Sequence, residues 1–134
     1  MTIEDIDTAY SDFHLNLLNT FIEQIKDQPP FCLENCDQDD QEFLNELDQL
    51  PKVGGSELLI QGQQLFCRIV AGYPHLMPLV PRDLLWFFGG DCLHYMPDEE
   101  ISVFQKLDEL RQSAKDSNET FSYEKARLST MGLH

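Results

Sequence analysis

The chain has 134 residues, 42% hydrophobic and 25% charged, and its 24 Asp and Glu against 9 Lys and Arg give a formal net charge of −15 at pH 7. A length in this range corresponds to one domain around one core. The acidic balance excludes a direct hold on nucleic acid or on an anionic membrane surface, because both are gripped through Lys and Arg.

The charge is uneven. Residues 1–51 hold thirteen Asp and Glu against Lys26 alone, whereas residues 52–134 hold eleven acids and eight bases. A basic protein surface or a cation therefore suits the N-terminal third as a partner, although a generally acidic surface also serves solubility alone. Met1 is followed by the acidic stretch TIEDID where a secretory signal would carry a basic region and an apolar run, which predicts a cytoplasmic chain. No apolar run approaches the ~18 residues of a membrane span. In such a compartment Cys32, Cys36, Cys67 and Cys92 stay reduced, and the Asn118-Glu119-Thr120 sequon goes unread.

Residues 3–27 read as a long amphipathic helix. Thr2 and Asp5 resemble a capping box, and Glu4, Asp5 and Asp7 complement the positive end of the helix dipole. Ile3, Ile6, Tyr10, Phe13, Leu17, Phe21 and Ile25 form one apolar seam, and Leu15, Leu18 and Ile22 a second beside it. A stripe that wide either fits a groove between other helices or meets a second copy in a homodimer. Pro29-Pro30 ends the helix, because neither proline donates a hydrogen bond and the first disfavours helical geometry before it. A loop over 28–36 then carries Cys32 and Cys36.

A second helix is expected over 38–50, with Phe43, Leu44, Leu47 and Leu50 on one side and Asp39, Asp40, Glu42, Glu46 and Asp48 on the others. Pro51 stops it. A third, over 56–71, follows Gly54-Gly55 and turns Leu58, Leu59, Leu65, Phe66, Ile69 and Val70 inward. Gly62 in its middle costs about 1 kcal/mol relative to Ala unless a close crossing compensates. Gly72 and Pro74 terminate it. The connection over 73–81 is too apolar to lie wholly exposed, and predicts either packing across helix ends or a contact surface.

The densest stretch is PRDLLWFFGGDCLHYMPDEEI, residues 81–101. Leu84, Leu85, Trp86, Phe87 and Phe88 are apolar on all sides and predict burial all round. Gly89-Gly90 either breaks this element or allows a close backbone approach, and the preferred reading is one continuous helix over 82–96. A fifth helix over 98–115 starts on Asp98-Glu99-Glu100 and buries Val103, Phe104, Leu107, Leu110 and Ala114. The fold class is thus all-α, a compact bundle of about five helices in a single domain over 1–115. Residues 116–134 form either a loose tail or a short C-terminal helix through Phe121, Leu128 and Met131.

Chemistry-bearing motifs are sparse. Cys92 and His94 diverge by roughly 200° on a helix and need a break near Gly90, plus Cys67, His75 or the Cys32/Cys36 loop, to complete a tetrahedral metal site. The cysteines read more simply as small apolar groups. Counting a calcium loop from Asp37 places Glu42 where glycine is required and Asp48 where a bidentate Glu belongs, so a solvated acidic face is the better reading. No GxSxG, GxGxxG or P-loop pattern occurs. No catalytic residue and no cofactor can be named, and the sequence leans against an enzyme.

Two functional classes follow. One is a non-enzymatic interaction or regulatory module that holds a basic or amphipathic protein partner. Its candidate binding residues are Asp37, Asp39, Asp40, Glu42, Glu46, Tyr73, His75 and Met77, and a DNA-mimicking inhibitor is its special case. The other is a small ligand-, metal- or redox-binding protein centred on Cys92 and His94 with Cys67.

Overall fold

A computed structural model describes residues 3–132, with the side chains of Ile3 and Glu4 excepted; the expected Thr2 capping box lies outside the described residues. The described residues form α1 (Ile3–Ile25), α2 (Gln38–Gln49), α3 (Gly55–Gly72), α4 (Arg82–Phe88), α5 (Asp98–Asp116) and α6 (Tyr123–Thr130). Three 3₁₀ segments, Leu50–Lys52, Pro74–Leu79 and Gly90–Tyr95, interrupt them, and no strand occurs among the described residues. The fold is all-α, and the short C-terminal helix forms. No described helix is long and apolar enough to cross a membrane.

The described residues divide into two compact units, one over 15–95 and one made of 3–14 with 96–132. In the central unit, Phe21 of α1, Phe66 of α3 and Phe88 of α4 pack in series as tilted rings, with centroids 5.5 and 5.1 Å apart. Leu18, Phe21, Ile22 and Ile25 are all buried, so over this stretch the chain itself covers both apolar seams of α1. Leu76 and Val80 are buried as well, so the apolar connection packs inward at these two residues.

Gly62 is where α3 meets α4: a Cβ there would come within 2.2 Å of the Phe88 ring. The glycine that weakens α3 locally is thus the one that admits Phe88.

The expected continuous helix over 82–96 does not form. Gly89 adopts φ 66°, ψ −151°, a conformation reserved for glycine, and closes α4 after seven residues. The Phe88 carbonyl left over at that end accepts from Gln63 Nε2 at 2.8 Å. A shorter α4 also corrects the expected burial of its aromatic run: Phe88 is buried, but Trp86 and Phe87 are half-exposed.

In the outer unit, Tyr123 of α6 is buried against Tyr10 and Phe13 of α1, with centroids 5.1 and 5.2 Å away. His14 is fully buried beside them, and its Nδ1 is 2.7 Å from the Tyr10 carbonyl oxygen. Arg111 of α5 lies 3.7 Å above the Tyr10 ring and pairs with Asp7 at 3.2 Å, while Lys115 reaches the same carboxylate at 3.0 Å.

Candidate functional site

Helix α2 starts on Asp37, whose carboxylate accepts from the Asp39 N–H at 3.3 Å and satisfies one of the donors exposed at the helix start. Phe43 and Leu47 face the core at helical spacing, which leaves Gln38, Gln41, Glu42, Asn45, Glu46 and Gln49 on outward positions. Helix α3 uses the same logic. Leu58, Leu65, Phe66 and Ile69 go inward, and Glu57, Gln61, Gln64 and Arg68 form a polar row along one flank.

Between these helices lies a groove of about 460 Å³ lined by Asn45, Glu46, Gln49, Glu57, Gln61, Gln64, Leu65 and Arg68. Two shallower concavities adjoin α2, one formed by Asp40, Arg68, Ala71, Gly72 and Tyr73 and one by Gln38, Gln41, Glu42 and Asn45. Side-chain amides and the carboxylates of Asp40, Glu42, Glu46 and Glu57 dominate the three linings, and Arg68 is their one cation. Arg68 donates to Glu46 and lies 4.8 Å from the centre of the Phe43 ring.

The carboxylates are not equivalent. The Tyr73 hydroxyl donates to Asp40, and Phe31 and Phe43 pack on the Tyr73 ring with centroids 5.1 and 4.8 Å away. Burial, followed by the bond to a carboxylate, pushes the Tyr73 phenol well above its ordinary range. Asp37 and Asp40 are thus committed to the fold, while Glu42, Glu46 and Glu57 are exposed along the concavities, Glu46 in its pair with Arg68.

Of the other candidate partner residues, His75 is exposed, with Nε2 2.7 Å from the Pro29 carbonyl oxygen. Met77 is half-buried, and its carbonyl accepts from the Val80 N–H within the 3₁₀ connection.

The thiols are arranged differently from the expected Cys92, His94 and Cys67 set. Cys92 is fully buried, with Sγ 4.0 Å from the Gln63 carbonyl oxygen on α3. Its thiol is pushed up to about 12, first by burial and then by the neighbouring Cys67 thiol. The Cys67 thiol, ahead of burial, also raises the neighbouring Tyr95 phenol. His94 does not join them, because its side chain is 79% exposed and lies 3.8 Å from Asp91. The break at Gly89 relaxes the helical geometry, yet the 3₁₀ turn over Gly90–Tyr95 still separates Cys92 from His94, two residues further on. Among the described residues, no three His, Cys, Asp or Glu side chains converge to hold a metal ion.

A family model described as PA2817-like matches residues 6–133, nearly the whole chain. The chain belongs to the PA2817-like family. No curated protein and no solved structure matches it. The match takes in all of α2 to α6 and most of α1, so the groove and the thiol cluster both lie inside the PA2817-like region.

Sequence reasoning named Glu42 and Glu46 of this PA2817-like chain but missed the α3 side of the groove. Its signal was present: Glu57, Gln61, Gln64 and Arg68 recur at helical spacing opposite the apolar stripe. What the pattern lacks is any sign of which helix the row would face.

Proposed function

We propose that this protein is a cytoplasmic, non-enzymatic interaction module that holds a basic segment of a protein partner in the groove between α2 and α3. The observation that carries the reading is the lining of that groove, where Glu46 and Glu57 stand among amides with Arg68 as the single cation. Carboxylates at the rim attract Lys and Arg, and side-chain amides accept and donate to an extended backbone. A segment lying there meets Glu42 at the adjoining concavity, which extends the same charge preference along α2.

The test is fluorescence anisotropy with a labelled Arg- and Lys-rich peptide and an acidic peptide as control. The combined variant Glu42→Gln, Glu46→Gln, Glu57→Gln leaves the Asp37 cap and the Asp40 bond intact. It is expected to weaken binding of the basic peptide by about tenfold or more and to flatten its salt dependence. Unchanged affinity in a folded variant removes the groove from the reading.

A further inference from the structure

The Gly90–Tyr95 segment packs on α3. Cys92 Sγ lies 4.0 Å from the Gln63 carbonyl, and Cys67 stands one helical turn further along α3. The Cys67 thiol there is near enough to Cys92 and to Tyr95 to raise both of them. The two thiols differ in access: Cys67 is half-buried and Cys92 fully buried. Residues 90–95 begin beside the Gly89 break, so they are not part of the hydrogen-bond ladder of α4.

We infer that Cys67 and Cys92 are a modification site, a thiol pair that a small-molecule disulfide converts into an intramolecular disulfide tying the Gly90–Tyr95 segment to α3. Cys67 reacts first because it is the member that solvent reaches. It loses its proton, and its sulfur bonds to one sulfur of R–S–S–R. The S–S bond breaks, and the departing RS⁻ takes up a proton to become RSH. Cys92 then loses its proton and attacks the Cys67 sulfur of the mixed disulfide, and the second RS⁻ leaves and is protonated. Two protein thiols lose two electrons and two protons, and one R–S–S–R becomes two RSH. The cluster is separate from the groove, so the inference stands or falls independently of the proposed function.

The experiment uses the full chain with Cys32→Ser and Cys36→Ser, so that only this pair can react. It is incubated with glutathione disulfide, quenched with an alkylating reagent and read by intact mass and peptide mapping. Expected are the loss of two hydrogens, no alkylation, and a fragment joining the Cys67 and Cys92 peptides that dithiothreitol separates. Adding Cys92→Ser to that background should leave a lasting glutathione adduct on Cys67, with circular dichroism confirming that the chain is folded. A lasting adduct in the chain that keeps Cys92, or full alkylation of both thiols after the incubation, overturns the inference.

Discussion

Gly62 and Phe88 show how one residue sets the distance between two elements. A Cβ at position 62 would sit 2.2 Å from the ring, and ring and helix backbone are both too stiff to yield without cost. Gly62→Ala should therefore destabilise the protein by about 1–3 kcal/mol despite its better helix propensity, as read from the urea midpoint. Titration supplies a second prediction at this scale. The Cys92 thiol is raised from 9.0 to about 12 in the folded chain, so the fold favours its neutral form. Its stabilising contribution is complete below about pH 9 and is lost as pH climbs toward 12. Tyr73 shifts in the same direction, through burial and its bond to Asp40. Urea midpoints measured across this range should fall with pH, and Cys92→Ala should make the decline shallower.

At the scale of elements, the ends of helices decide more than their middles. Gly89 stops α4 with φ 66° and ψ −151°, where a side chain is strained whatever space surrounds it. Gly89→Ala should cost about 1–3 kcal/mol and lower the thermal midpoint, because the chain must either keep the strain or lose the bond from Gln63 to the Phe88 carbonyl. Helix α2 gives the complementary case at its start. Asp37→Ala should cost about 1 kcal/mol in denaturant unfolding, whereas Asp37→Asn, which keeps a side-chain acceptor, should cost much less. The same pair shows that, in a binding experiment, Asp37 is to be neutralised as Asn and not as Ala. The helix starts and stops were legible in prolines, glycines and apolar spacing. The break within residues 82–96 was not, because Gly89-Gly90 is compatible with either outcome until Gln63 and Phe88 are brought together.

For the whole molecule, the net charge of −15 is the dominant electrostatic fact. Like charges crowded on a folded surface repel one another, and salt screens that repulsion over about 10 Å at 0.1 M. Raising sodium chloride from about 20 mM to about 500 mM should therefore raise the thermal midpoint, while binding of a basic peptide to the groove should weaken over the same range. Opposite responses to one variable separate stability from recognition. A thermal midpoint that falls with salt would show that pairs such as Arg111 and Lys115 with Asp7 outweigh the general repulsion.

The amino-acid sequence alone determined that the chain is helical and acidic, and it placed most helix boundaries close to where they lie. Those properties depend on residues within a turn or two of one another: a proline without a donor, a glycine past a helix end, apolar residues recurring on one face. Only the tertiary structure decided that Glu57 and Arg68 face Glu46 across a groove, that Cys67 rather than His94 neighbours Cys92, and that Trp86 and Phe87 keep part of their surface. These juxtapositions join residues far apart in the chain. They are set by how closely helices pack and in what register, which no local pattern encodes.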